Sequence, residues 1–363
     1  MKFVDLHAQY ARIQRGVDAR LKGLFAHCEF IMGPEVEELE NKLAEYAGAK
    51  HCISCANGTD ALLMALMALG IKAGDEVIVP DFSFFATAEV VSLLGAKPVF
   101  VDVDPSTYNL DPKLVAESIT PRTRAIIPVG LYGLPPDMVA INQIALPYGI
   151  HVIEDGAQSF GGLYQGKKSP SRGVVGCTSF FPAKPLGCYG DGGACFTDDD
   201  HLASVMRQIR IHGSEIRYHH VRLGINGRLD TMQAAILLEK LAIYPDEVER
   251  RNDLAMYYHE ALNDLVSIPM IPNGYKSVWA QYTIRTTKRD ALAAHLKSEG
   301  IPYSIHYPKP MRRQPYYVEQ GYDRVSNPIS DELSATVLSI PMHPYLSESD
   351  KSTVVDSVRS FFV

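Results

Sequence analysis

Two short segments carry four residues whose types belong together chemically. Residues 153–159 read Ile-Glu-Asp-Gly-Ala-Gln-Ser and residues 179–185 read Ser-Phe-Phe-Pro-Ala-Lys-Pro. Each begins apolar and ends polar, the pattern of a buried strand that delivers its polar groups at its C-terminal end. Together they supply a carboxylate (Asp155), an amide (Gln158), a hydroxyl (Ser179) and an amine (Lys184). A lysine amine condenses with an aldehyde cofactor, and an anion beside a pyridine nitrogen keeps that nitrogen protonated so that the ring draws electrons. The set matches a site for pyridoxal 5′-phosphate, with Lys184 catalytic.

Each member gains weight from its surroundings. Lys184 sits among Phe180, Phe181, Pro182, Ala183 and Pro185, where burial lowers an amine's pKa and favours reaction with an aldehyde. The glycine-rich return from Leu186 to Gly193 lets the backbone pass close to a bulky ligand. Asp155 ends an apolar run, a costly place for a carboxylate without a cationic partner, and a pyridinium N–H is such a partner. Gln158, on the same turn, is placed to reach the ring hydroxyl. Asn57-Gly58-Thr59-Asp60 stands between a strand and a helix, so the first amides of that helix, with Gly58 and the Thr59 hydroxyl, form a phosphate cradle. Alone it is an ordinary helix cap. Phe84 follows another apolar strand and offers a ring to stack on a flat heterocycle; alone it is a core aromatic.

Two phosphate-loop lookalikes fail. Gly161 to Lys167 fits G-x-x-x-x-G-K, but Lys168 occupies the Ser/Thr position and Pro170 opposes the required helix. Gly190-Asp191-Gly192-Gly193 lacks the third spaced glycine, because position 195 is Cys. Neither an ATPase nor a nicotinamide-dependent enzyme is supported.

The elements that must position these residues alternate along the chain. Strands are predicted at His51–Cys55, Glu76–Val79, Pro98–Val101, Ala125–Val129, His151–Glu154, Thr178–Phe181 and Ala194–Thr197, with helices over Asp60–Leu69, Phe85–Leu94 and Met138–Ala145 between them. Continuous Val/Ile runs joined by helices predict an α/β fold with a mostly parallel seven-stranded sheet covered on both faces, ligands collecting at the carboxyl ends of its strands. A helix opens at Gly33-Pro34, and a long helical stretch from Leu229 to Leu265, broken at Pro245, leads out of this large domain (residues 1–240). Beyond it a smaller α+β C-terminal domain (241–363) is expected. It holds a half-exposed strand in which Val278, Ala280, Tyr282 and Ile284 alternate with Trp279, Gln281, Thr283 and Arg285. Helices follow at Arg289–Glu299, Asp331–Leu338 and Glu348–Phe361, the last capped by Ser347 with Asp350.

The 363 residues suffice for two such domains, and a formal charge of -7 argues against a nucleic-acid or acidic-membrane surface. The N-terminus has no apolar signal core, and Ala61 to Leu69, the longest apolar helix candidate, is far short of the ~20 residues of a membrane span, so a cytoplasmic protein is expected. Cys52-Ile53-Ser54-Cys55 is formally C-x-x-C, but residues three apart on a strand face opposite ways and no second ligand pair completes a metal site. Buried free thiols and no metal are the expectation.

With these pieces assembled, the chain resembles the DegT/DnrJ/StrS nucleotide-sugar aminotransferases, fold type I enzymes that use pyridoxal phosphate. The resemblance runs from Phe30-Ile31-Met32-Gly33-Pro34-Glu35 to Pro341-Met342-His343-Pro344, through Asn57 to Leu62, Glu154-Asp155 with Gln158, Ser179 with Lys184, and Asn226-Gly227-Arg228-Leu229-Asp230 before Gln233-Ala234-Ala235. It implies a homodimer with two sites at the subunit interface. Gly58, Thr59 and Ser179 would hold the phosphate from one chain and Asn226 from the other. The run from Phe180 to Gly193 is similar to a subgroup that aminates UDP-2-acetamido-2-deoxy-3-oxo-glucuronate at C3, with L-glutamate as donor, for surface polysaccharide sugars of the O-antigen kind. There, Glu29, Arg228, His306 and Tyr307 would occupy substrate positions, Arg228 serving the sugar carboxylate. Departures are Ala183 beside the lysine and Gly156 after the aspartate. The same resemblance allows a 4-oxo or non-uronate sugar as substrate, or a non-catalytic cofactor-binding regulator; a dehydratase relative would lack the lysine that Lys184 supplies.

Overall fold

The computed structural model describes residues 1–362. Seven strands build its main sheet: β1 (His51–Cys55), β2 (Glu76–Pro80), β3 (Lys97–Val101), β4 (Thr123–Ile126), β5 (His151–Asp155), β6 (Val175–Ser179) and β7 (Gly193–Thr197). Their order is β1-β7-β6-β5-β4-β2-β3. All neighbours from β6 to β3 are parallel, and only β7 runs against both of its neighbours. Alternate side chains enter separate apolar cores: Val77, Val79, Ile153 and Cys177 on one face, Ile78, Ile126 and Val152 on the other. That burial on both sides is why the strands read as continuous Val/Ile runs.

Helices α1 (Leu6–His27), α2 (Pro34–Ala47), α3 (Gly58–Ala68), α4 (Ala86–Leu93), α5 (Met138–Ala145), α6 (Asp200–Ile209) and α7 (Thr231–Leu262) accompany the sheet. The first face packs on α3, α4 and α6, and the second on α5 and, beside β1 and β7, on α2 and α7. Cys52 and Cys55 lie in different cores, as residues three apart on a strand must. No helix among the described residues is long and apolar enough to cross a membrane.

The C-terminal part builds its core from the end of α7 and from β8 (Tyr282–Arg285), α8 (Arg289–Ser298), β9 (Val337–Ile340) and α10 (Glu348–Phe362), with α9 (Pro328–Thr336) before β9. Strands β8 and β9 pair antiparallel, and Asp350 N–H donates to Ser347 Oγ at the start of α10.

Several expectations change. Pro245 does not break the long helix: α7 runs through it, because Tyr244, Glu247, Val248 and Arg251 are all buried against the body and tertiary packing outweighs one lost backbone bond. The strand before Lys184 begins at Val175 rather than Thr178 and ends at Ser179. The alternation from Val278 to Arg285 does not mark a half-exposed strand. Trp279 and Thr283 are buried as well, and only Tyr282–Arg285 is strand, because the segment is covered on both sides. The helix expected at Asp331–Leu338 starts and ends earlier, and its last residues enter β9.

Candidate active site

Strands β5 and β6 end side by side, with Asp155 opposite Cys177, so Asp155 and Ser179 emerge on one edge of the sheet. Asp155 is 4% exposed. Its Oδ1 accepts from Ala157 N–H at 3.1 Å and its Oδ2 from Thr87 Oγ1, on the first turn of α4, at 2.9 Å. Burial nonetheless raises its pKa, against the opposing effect of these two bonds and of the charge on Lys184. Lys184 is placed by a turn in which its N–H donates to Phe181 O at 2.9 Å. It keeps partial solvent contact, yet enough protein surrounds the amine that desolvation lowers its pKa, opposed by Asp155. The carboxylate is therefore under-compensated: two donors and one distant ammonium do not offset its desolvation. A cationic ring N–H at Asp155 would, which is the fit expected of a pyridine cofactor.

A second cluster lies at the start of α3. Asn57 Oδ1 caps Asp60 N–H at 2.8 Å, leaving the amides of Gly58 and Thr59 with no intrahelical acceptor. A Cβ on Gly58 would fall 2.6 Å from Ser179 Cβ, and one on Gly193 2.4 Å from Asn57 O. Glycine at both positions is what lets the helix start close on the end of β6. The result is a concavity of N–H groups beside the Ser179 hydroxyl, chemically suited to a phosphate.

The wall opposite is aromatic. Gln158, itself buried, accepts from Tyr132 N–H with Oε1 at 2.9 Å and donates from Nε2 to Tyr307 Oη at 3.1 Å. The Phe84 ring is 55% exposed and lies 6.1 Å from the ring of Tyr307. His306 is held by Ser339 Oγ at Nδ1 (3.0 Å), by Ser304 Oγ at Nε2 (3.2 Å), and by the Tyr132 hydroxyl, which donates to its carbonyl. Burial, with the Lys184 charge second, pushes its pKa down to about 4.

The structure thus gathers Gly58, Thr59 and Ser179 in one cluster and Asp155, Gln158, Lys184, Phe84, His306 and Tyr307 in the adjoining one. Three further residues are placed differently. Glu29 is exposed between α1 and α2. Asn226 is exposed, although Gly227 O accepts from Ala56 N–H at 3.0 Å and so brings its segment to the approach of α3. Arg228 has a buried Nε without a partner and makes no ion pair among the described residues. Thr87, Tyr132 and the N-terminal segment escaped the sequence reading. The Phe3 ring lies 6.2 Å from that of His306, and the neighbouring Lys2 carbonyl accepts from His343 Nε2 at 3.2 Å. Thr87 had a signal in its place three residues after Phe84; the other two had none, since their contacts span distant parts of the chain.

A lysine coupled to a buried carboxylate at the carboxyl edge of a mostly parallel sheet, beside a glycine-shaped helix start, defines the fold type I aminotransferase class. The model of the DegT/DnrJ/EryC1/StrS aminotransferase family matches residues 12–359, and the chain belongs to that family. It is 54% identical to the UDP-2-acetamido-2-deoxy-3-oxo-D-glucuronate aminotransferase of Pseudomonas aeruginosa, over 95% of this chain and 96% of that one. It is 45% identical to the pleiotropic regulatory protein of Geobacillus stearothermophilus, over 99% and 98%. Among solved structures, a DegT DnrJ EryC1 StrS aminotransferase from Brucella abortus superposes with a TM-score of 0.94 at 49% identity, covering 100% of this chain and 99% of that one. NtdA of Bacillus subtilis with bound cofactor PMP superposes with a TM-score of 0.91 at 29% identity, covering 99% and 83%.

Proposed function

We propose that this protein is a pyridoxal 5′-phosphate-dependent aminotransferase that moves an amino group from L-glutamate to C3 of UDP-2-acetamido-2-deoxy-3-oxo-D-glucuronate, in the cytoplasm, for O-antigen-type surface polysaccharide. The observation that carries it is the buried, under-compensated Asp155 in one cluster with a lysine of lowered pKa, in a chain 54% identical to an enzyme named for that substrate.

When bound, the cofactor supplies an aldehyde that takes up the amino group and a ring that draws electrons from the bond to be broken. Lys184 Nζ would hold the cofactor and, as a free amine, would carry a proton away from the donor Cα. Its lowered pKa favours the neutral amine that this requires. Asp155 would hold the ring N–H and keep its charge, and Gln158, anchored at both ends of its amide, would be available to the ring hydroxyl. Gly58, Thr59 and Ser179 would receive the phosphate, which Asn226 of the partner subunit would complete in a homodimer. Phe84 would stack on the ring, and His306 and Tyr307 would contact the sugar. Glu29 and Arg228 belong to the substrate contacts, the unpaired Arg228 guanidinium suiting the C6 carboxylate.

A homodimer with sites at the subunit interface is part of the proposal. It is supported by the exposed apolar residues Phe25, Phe30, Ile31 and Met32 around Glu29, which a partner would cover. So is a division of the chain into domains 1–240 and 241–363, supported by the separate C-terminal core, although α7 crosses that boundary as one helix.

The likeness to a regulatory protein motivates one competing reading, a cofactor-binding protein without catalysis. L-Glutamate separates the two: an enzyme converts the aldehyde form's absorbance into that of the amine form, and a silent binder does not. Substrate choice is tested with UDP-linked 3-oxo and 4-oxo sugars, each with and without the C6 carboxylate. Fastest amination of the 3-oxo uronate is expected; equal rates without the carboxylate would remove the role given to Arg228.

A further inference from the structure

Two segments meet at the aromatic wall, and one buried ion pair joins them. Asp81 stands immediately after β2 and three residues before Phe84; Arg312 stands five residues after Tyr307. Asp81 is 0% and Arg312 1% exposed. Asp81 Oδ1 accepts from Arg312 N–H at 2.8 Å, its Oδ2 from Arg312 Nη1, and its backbone carbonyl from Met311 N–H at 2.7 Å. The remaining arms of the guanidinium are also committed, Nε to Val325 O at 2.8 Å and Nη2 to Asp331 Oδ2 at 2.6 Å. A second carboxylate repeats the arrangement one strand over. Asp102, immediately after β3, accepts from Ile329 N–H at 2.9 Å, Ser330 N–H at 2.8 Å and Ser330 Oγ at 2.6 Å. The chain from 311 to 331 is thus fastened at both ends to the carboxyl edge of the sheet.

We propose that Arg312 and Asp81 are positioning residues for the amino acceptor, holding the Tyr307 wall in register with Phe84. Pro308 and Pro310 lie between Tyr307 and Arg312, and their fixed φ angles make this connection stiff. Fixing the guanidinium therefore fixes Tyr307, whose ring lies 6.1 Å from Phe84 and 6.4 Å from Phe82, both on the segment that Asp81 begins. Cohesion alone does not call for such a pair, because a buried ion pair is often no more stabilising than apolar residues of the same volume. What the guanidinium adds is direction: its planar fork fixes the angle of approach as well as the distance. Lysine keeps the charge but cannot reproduce three divergent bonds.

The inference rests on the proposed placing of Phe84 and Tyr307 in the site, so the two half-reactions are measured separately on the holoenzyme. The variants are Arg312→Lys and the double variant Asp81→Asn with Arg312→Met, the second chosen because it leaves no uncompensated buried charge. In both, the KM for the UDP-keto sugar is expected to rise about 10- to 100-fold, the range a small displacement of a wall produces. The rate of the glutamate half-reaction and the absorbance of the bound cofactor stay at wild-type values. Hydrogen exchange over residues 303–310 of the holoenzyme is expected to quicken. Unchanged acceptor KM and unchanged exchange in folded variants, with only a lower melting temperature, would make the pair merely structural and overturn the inference. Failure of the wild type to aminate any UDP-keto sugar would instead defeat the proposed function, and the exchange measurement would still decide the fastening.

Discussion

The floor of the site and its wall are secured by different physical means. Asp155 and Ser179 end strands held in register by neighbours on both sides inside the sheet, parallel around Asp155 and antiparallel where Ser179 pairs with Gly193, and the start of α3 is locked against them by the close fit of Gly58 and Gly193. His306 and Tyr307 lie on irregular chain held by side-chain bonds: Gln158 to Tyr307, Tyr132 to His306, Arg312 to Asp81. Backbone ladders fix position cooperatively, whereas each side-chain bond holds one point. The floor is accordingly the place for chemistry common to both half-reactions, and the wall the place where an acceptor is distinguished.

That contrast can be broken most forcefully from the floor. Lys184→Ala should lower turnover by about 10⁴-fold or more in both half-reactions while leaving the fold intact, read by steady-state rates and circular dichroism. Retained activity would mean the proton is carried elsewhere. Asp155→Ala should cost roughly 10²- to 10³-fold, again in both half-reactions, because it removes the charge that matches a cationic ring. A loss confined to the acceptor half would place Asp155 in the wall instead.

The wall responds to acid. His343 Nε2 donates to Lys2 O and its Nδ1 accepts from Tyr345 N–H, so the neutral ring pins the N-terminal segment beside His306. Burial, with Arg251 second, pushes its pKa down to about 4 from an ordinary value of 6.5. Between those values the unfolded chain binds the extra proton and the folded one does not. Stability is thus full above about pH 6.5 and falls as the pH drops toward 4, by up to about 3 kcal/mol from this group. Denaturant melts at neutral and acid pH should show a shallower fall for His343→Gln; parallel falls would remove the assignment. The smallest effect is expected from Tyr307→Phe, which removes the acceptor of the Gln158 bond and should change acceptor KM by roughly 1 kcal/mol, measured against an unchanged glutamate half-reaction.

The same contrast governs what the sequence discloses. The floor is written largely locally: the apolar runs His151–Glu154 and Thr178–Phe181 announce buried strands next to the polar residues, although Asp155 closes the first strand and the second spans Val175–Ser179. The wall is not, since Arg312 meets Asp81 across a separation of 231 residues and neither stands in a periodic pattern. Glu29, Asn226 and Arg228 were reachable only through likeness to a family. The same reason hid α1, whose buried residues (Gln9, Ile13, Val17 and Leu24) form a thin stripe in a polar stretch, and β9, whose Val337–Ile340 prolongs a helical pattern until its pairing with β8 decides otherwise.

The central claim is that the Lys184 amine becomes joined to an aldehyde cofactor whose ring nitrogen meets Asp155. Borohydride reduction of the holoenzyme followed by peptide mass mapping tests it most directly. The account predicts a cofactor-sized mass increase on Lys184 and on no other lysine; an unmodified Lys184 would contradict it.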